Sequence, residues 1–231
     1  MKLKVYADRM SQPSRAVIIF CKVNGINFEE IKVDLSKRQH LSEEFKEINP
    51  MEKVPAIVDG RFKLFERYPA DVSRTAKIHS VLDWHHSNLR QGAASFVFNT
   101  VLAPALGFPL NPQAASQAEK LLSSSLSKIE SIWLKGNGRF LLGGFQPSIA
   151  DLSLVCEIMQ LEVLDEKDHS RILGPHKKVQ QWIEDTRNAT RPHFDEVHTI
   201  LYKAKTKLAV QRSVRGNSET ESSIKKLPSK M

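Results

Sequence analysis

Hydrophobic positions alternate with polar ones over residues 3–7 and 28–33, the period-two pattern of strands with one buried face. Between them Val17, Ile18, Phe20 and Cys21 fall at helical spacing. Residues 13–23 are therefore predicted to be a helix, with Pro13 tolerated in its first turn and Asn24-Gly25 as its stop. Ser42-Glu43-Glu44-Phe45 opens a short acid-first helix that ends at Asn49-Pro50. Residues 54–58 and 62–65 flank Asp59-Gly60, a strong hairpin signal. Strands and helices in this order predict an α/β layer with a mixed sheet.

From Ala70 onward the period becomes that of helices: about 70–106, 112–134, 148–164, 176–187 and 192–205. Pro109, Gly136-Asn137-Gly138, Gly143-Gly144 and Gly174-Pro175 separate them. The expected division is an α/β domain over 1–68, an all-helical domain over 69–205 and a basic, disordered tail over 206–231. No internal repeat is visible.

The bulk numbers narrow the class. A chain of 231 residues can bury the cores of two small domains. Hydrophobic residues at 41% and charged residues at 26% match soluble usage, and no stretch nears the roughly 20 apolar residues of a membrane span. The first strand lacks the apolar run of a signal peptide, which predicts a protein that is not secreted. Cys21 and Cys156 lie far apart within helical patterns, as reduced buried thiols do. The formal charge of +8 suggests nucleic acid until it is located. Lys203, Lys205, Lys207, Arg212, Arg215, Lys225, Lys226 and Lys230 stand against only Glu219 and Glu221, so the basicity belongs to the tail. With no aromatic after Tyr202 to stack on bases, that tail reads as solvated rather than as a nucleic-acid arm.

Several residues could carry chemistry. Ser11 in Ser11-Gln12-Pro13-Ser14-Arg15 stands between the first strand and the first helix, at the positive end of a helix dipole. With no histidine or acid beside it, it is a poor nucleophile but a good donor to a bound thiolate; the plainer reading is a helix-capping serine. In Lys53-Val54-Pro55-Ala56 a proline opens a strand, which suits an edge or a cis bond and leaves Val54 free to pair with a peptide; a purely structural trans proline is the plainer alternative. Glu66 could hold an amine, and His40 and Lys53 a carboxylate, although each alone is more often a surface charge. Trp84-His85-His86 looks metal-like, but adjacent histidines on a helix face different ways, so no metal site is expected. Ser148-Ile149-Ala150-Asp151 has the form of a capping box.

In this order, the serine motif Ser11-Gln12-Pro13-Ser14-Arg15-Ala16, the segment Lys53-Val54-Pro55-Ala56 and the box Ser148-Ile149-Ala150-Asp151 resemble the theta class of glutathione transferases, especially its plant branch, over residues 1 to about 205. The resemblance implies a thioredoxin-like N-terminal domain followed by an all-helical bundle. It implies that Ser11 stabilises the glutathione thiolate and that Pro55 is cis. By the same resemblance His40, Leu41, Lys53 and Val54 hold the glycyl and cysteinyl parts, Glu66 faces the γ-glutamyl end, and Gln12 and Arg67 belong to the same site. Glutathione is then a co-substrate with no cofactor or metal. The partner substrate is a hydrophobic electrophile or an organic hydroperoxide, and the chain forms a homodimer in the cytoplasm.

One departure qualifies that implication. Family members follow the strand-ending glutamate with a serine and a helix, whereas here Glu66 runs through Arg67-Tyr68-Pro69-Ala70-Asp71 into the bundle. The N-terminal domain is thus expected to be truncated, and a weak or inactive ligand-binding protein is the alternative to an enzyme. Ser229-Lys230-Met231 differs by one residue from the Ser-Lys-Leu peroxisomal address, so peroxisome and cytosol are the two expected destinations.

Overall fold

A computed structural model describes residues 3–59, 62–64 and 72–224 of the chain. Strands β1 (Leu3–Ala7), β2 (Phe28–Lys32), β3 (Ala56–Asp59) and β4 (Phe62–Leu64) form one sheet in the order β2-β1-β3-β4. Helix α1 (Gln12–Val23) makes the crossover from β1 to the parallel β2, and α2 (Glu43–Ile48) leads from β2 to β3. β3 runs antiparallel to both β1 and β4, so the sheet is mixed as predicted. Glu66, Arg67 and the Ser229-Lys230-Met231 terminus lie outside the described residues.

Helix α1 stops where its punctuation predicts. Asn24 caps its C-terminus, its side chain donating to the Phe20 carbonyl at 2.8 Å. Gly25 then takes φ +64°, the left-handed turn that glycine enters without a Cβ penalty, and lets the Ile26 N–H reach the Cys21 carbonyl.

The helical half comprises α3 (Val72–Ser87), α4 (Leu89–Val97), α5 (Ala103–Ala105), α6 (Pro112–Lys128), α7 (Ile149–Ile158), α8 (Glu166–Leu173), α9 (Lys177–Ala189) and α10 (His193–Ile224). Two differences from the periodicity have local causes. The stretch 70–106 is not one helix: it breaks at Asn88 and passes through a π-turn at Phe98–Leu102, next to the cleft described below. The segment after Lys205, expected as a disordered tail, continues α10 to Ile224. Leu208 packs on the core, and Arg212 Nη2 donates to the Val163 carbonyl at 2.7 Å, so this turn has tertiary partners that a count of charges cannot reveal.

One apolar cluster joins the halves. Val5, Ala16, Ile18 and Ile19 belong to the same buried set as Leu154, Val155, Trp182 and Phe194, because α1 packs between the sheet on one side and α7 and α10 on the other. A smaller cluster of Val33, Phe45 and Ala56, with Tyr6, Ile48 and Val54 against it, seats α2. Among the described residues no helix is long and apolar enough to cross a membrane.

Candidate functional site

The register gathers the sequence-predicted residues at one end of the sheet. Ala7 at the end of β1 is opposite Lys32 at the end of β2, and Tyr6 is opposite Ala56 at the start of β3. The loops that carry Ser11, His40 and Val54 therefore leave the sheet side by side. Leu64, where β4 ends, faces Ile57, which brings the last strand to the same edge.

Asp8 organises the first of these loops. It is buried, and its carboxylate accepts from the Met10 N–H and the Leu35 N–H, both at 2.9 Å, tying the β1 and β2 exits together. The Ser11 N–H donates to the Asp8 carbonyl at 2.9 Å. Ser11 then stands at the N-cap of α1 in extended geometry, but its hydroxyl makes no capping bond. Ser42 and Ser148, at the starts of α2 and α7, do cap with their side chains. The plain capping role thus fails for Ser11, whose half-buried hydroxyl stays available beside a helix N-terminus. Ser14 differs: it is fully buried and its Oγ has no partner.

His40 and Leu41 sit on a short 3-10 turn, Gln39–Leu41, that follows Arg38 at φ 56°. Gln39 Oε1 accepts from the Asp34 N–H at 2.7 Å, while Asp34 accepts from the Ser36 hydroxyl at 2.6 Å, which lowers the Asp34 pKa. Leu41 is exposed, and the Nδ1 of His40 is buried without a partner. Lys53 is exposed and makes no ion pair among the described residues. Val54-Pro55 is a cis peptide, as the resemblance implied, and Val54 lies ahead of β3 rather than inside it.

Asn49, which sequence reasoning took only as a helix stop, holds this segment. It is buried, its Nδ2 donates to the Lys53 carbonyl at 2.7 Å, and its Oδ1 accepts from the Met51 N–H at 3.0 Å. An Asn before Pro does signal a turn, yet nothing local shows that it closes onto the residue four positions later.

Beside Ser11 a cleft of about 390 Å³ opens between the halves, lined by Gln12, Ala94, Val97, Phe98, Leu102 and Gln160 among others. Phe98 and Leu102 are partly exposed there and with Val97 and Ala94 make its apolar side, while Gln12, Ser95, Asn99 and Gln160 supply polar groups. These residues read in sequence as ordinary helix.

The remaining candidates are structural. The capping box of α7 has both arms: Asp151 Oδ2 accepts from the Ser148 N–H and hydroxyl, each at 2.7 Å. Its Oδ1 accepts from the Leu141 N–H at 2.8 Å and the Trp182 indole N–H at 2.9 Å. Burial raises the Asp151 pKa while those four hydrogen bonds pull against it. His85 turns inward, its Nε2 3.3 Å from the buried Glu157, while the neighbouring His86 is exposed. Cys156 is pushed up to about 12 by burial and Cys21 is raised likewise, which makes both thiols poor nucleophiles at neutral pH.

A cis-proline at the end of the sheet, a serine hydroxyl left out of capping at a helix start and a cleft against a helical bundle make a two-part candidate site on a thioredoxin-like domain. Comparison with known proteins identifies the family. The family model described as "Glutathione S-transferase, N-terminal domain" matches residues 1–67, and "Glutathione S-transferase, C-terminal domain" matches residues 112–185. Glutathione S-transferase T1 of Arabidopsis thaliana is 66% identical over 89% of this chain and 91% of its own length. Glutathione S-transferase T2 of the same plant is 65% identical over 93% of this chain, which spans only 39% of that longer relative. The apo structure of human glutathione-S-transferase T1-1 superposes with a TM-score of 0.78 at 33% identity, covering 88% of this chain and 91% of that one. The chain belongs to the glutathione S-transferase family, in its theta class.

Proposed function

We propose that the chain conjugates reduced glutathione to hydrophobic electrophiles, with the Ser11 hydroxyl donating a hydrogen bond to the glutathione sulfur. The observation that carries this reading is a serine hydroxyl left out of capping at the sheet edge where the His40, Lys53 and Val54 segments meet. No general base is hydrogen-bonded to that hydroxyl among the described residues, so Ser11 acts as donor rather than nucleophile. The thiol proton leaves to solvent. The sulfur lone pair then forms the new bond to the electrophilic carbon as the leaving group departs with its electrons. A preorganised donor lowers the cost of the thiolate.

His40 and Lys53 supply donors for the glycyl carboxylate, and the main chain of Val54 pairs with the cysteinyl unit as an added strand would. The cleft at Phe98 and Leu102 takes the apolar part of the electrophile. A human theta-class structure at a TM-score of 0.79 and 28% identity was solved with the glutathione conjugate of 1-menaphthyl sulfate, which supports an apolar aromatic class of substrate. The same thiolate attacks the terminal oxygen of an organic hydroperoxide, the O–O bond breaking to release the alcohol and leave glutathione sulfenic acid, which a second glutathione converts to the disulfide with loss of water; this reaction and assembly as a homodimer belong to this proposal.

Ser11→Ala is expected to lower the conjugation rate by up to about 10²-fold, as loss of one preorganised donor does, and Ser14→Ala to change it little because Ser14 is sealed in the core. Equal rates for Ser11→Ala and the parent overturn the serine mechanism. A second reading, glutathione binding with little turnover, is favoured by the short connection 65–71 between β4 and α3, where the family pattern places a serine and a helix. Calorimetric binding of glutathione without conjugation of any electrophile would establish it.

A further inference from the structure

We infer that Arg15 is a positioning residue for Ser11: its guanidinium fixes the main chain that presents the Ser11 hydroxyl and anchors that main chain to the helical half. The inference rests on the reading of Ser11 as the thiolate donor.

Arg15 is fully buried, one of the largest side chains so enclosed. Burying a guanidinium costs several kcal/mol, and a well-packed apolar side chain of similar size commonly does as well or better for stability. What the arginine provides is geometry. Nη1 donates to the Arg9 and Met10 carbonyls, each at 3.0 Å, and Nη2 donates to the Cys156 carbonyl at 3.0 Å and to Gln160 Oε1 at 3.2 Å. The buried Glu157 carboxylate acts on the guanidinium through space, but no carboxylate is among its hydrogen-bond acceptors, so the planar fork itself is used to hold four oxygens in place.

Two of the four acceptors are the main-chain carbonyls of the residues immediately before Ser11. Their N–H side is held by another group: the Met10 N–H goes to the Asp8 carboxylate and the Ser11 N–H to the Asp8 carbonyl. The Ser11 carbonyl accepts from the Arg15 N–H at 3.1 Å. The loop is thus clamped by Asp8 through its donors and by Arg15 through its acceptors, and Ser11 is the first residue beyond the clamp. The other prong reaches α7 through Cys156 and then Gln160, which lines the cleft. One side chain therefore sets the thiolate donor against the wall on which the electrophile rests. Lysine, with a single compact ammonium, cannot span both sets of acceptors.

The test uses the full chain and reads the ionisation of bound glutathione from thiolate absorbance against pH, with kcat and glutathione KM. Parent and Ser11→Ala set the two limits. If they coincide, the Ser11 reading itself fails and Arg15 is not at issue. If they differ, Arg15→Lys with a single cooperative unfolding transition is expected to hold about threefold to tenfold less thiolate at neutral pH, with kcat falling in step and KM nearly unchanged. A purely structural arginine would lower the melting temperature and leave the thiol ionisation where it was. A folded Arg15→Lys protein whose titration overlays the parent overturns the inference. Should Arg15→Lys not fold, Gln160→Met removes one acceptor at similar volume and is expected to cut the thiolate fraction about twofold to threefold, and an unchanged titration there overturns it equally.

Discussion

The loops at the sheet edge and the start of α7 solve the same problem in opposite ways. Both are turns that lead into helices, and both hold polar groups against the core. Around α7 the side chains of Ser148 and Asp151 are used internally: Asp151 takes two bonds from Ser148, one from Leu141 and one from Trp182, and is wholly buried. At the sheet edge the main chain is equally well held, by Asp8, Asn49 and Arg15, but the side chains at the tips are left free. Ser11 does not cap, His40 Nδ1 has no partner, and Lys53 is exposed. A turn whose side chains are satisfied internally contributes stability, and one whose side chains are unsatisfied keeps binding capacity for a ligand.

That contrast is most sharply tested at Asp151. Asp151→Ala strands the Leu141 and Ser148 N–H groups and the Trp182 indole in a dry core, and is expected to cost about 3–5 kcal/mol. A denaturant titration would read it as a large fall in the midpoint. A loss no greater than that of a simple capping deletion, about 1 kcal/mol, would show that the network beyond the box contributes little.

The split between free and satisfied side chains was only partly legible in the sequence. Alternation in 3–7 and 28–33, the Asp59-Gly60 turn and the Ser148 to Asp151 box are short-range signals, and the strands, the hairpin pairing and the box appear where those signals lie. Arg15, Asn49 and Trp182 were missed in their actual roles because their partners are remote or lie outside any motif: Cys156 and Gln160 for Arg15, and Asp151 for Trp182. An arginine in a helix reads as surface until the helix packed over it is known. The cleft wall was hidden for the same reason, since Val97, Phe98 and Leu102 differ from core residues only in where the chain leaves them exposed.

A smaller effect separates buried from free polar groups by pH. His198 on α10 is fully buried, its Nδ1 is 2.8 Å from the Phe194 carbonyl and its Nε2 has no partner. Burial first, and then the Arg15 charge, lower its pKa from 6.5 to about 3. The folded state therefore keeps it neutral while the unfolded chain takes up a proton below pH 6.5. Its contribution is fully present above that pH and is lost as pH falls toward 3. By about pH 5.5 the expected loss is about 1–2 kcal/mol. Thermal unfolding at neutral pH and at about pH 5.5 should show His198→Gln losing less stability on acidification than the parent, and an identical acid loss in both would exclude His198 as the source.

The smallest effect is expected at the exposed seam between the halves. Glu196 on α10 meets Lys22 at 2.7 Å and Arg9 at 3.4 Å, bridging to α1 and the Ser11 loop just outside the buried Arg15 clamp. The hydrogen bond from Lys22 is the main cause of its lowered pKa. Glu196 is 43% exposed, however, so water screens both pairs and each long side chain must be ordered to make them. Glu196→Ala is expected to cost only about 0.2–1 kcal/mol, and less in high salt. Glutathione thiol ionisation should not change, because the carbonyls before Ser11 are held from inside by Arg15 and not from outside by Arg9. Measured beside Arg15→Lys, the pair separates two kinds of contact along one seam. A Glu196→Ala protein that lost thiolate as strongly as Arg15→Lys would mean that the outer ion pairs, rather than the buried guanidinium, set the position of the serine.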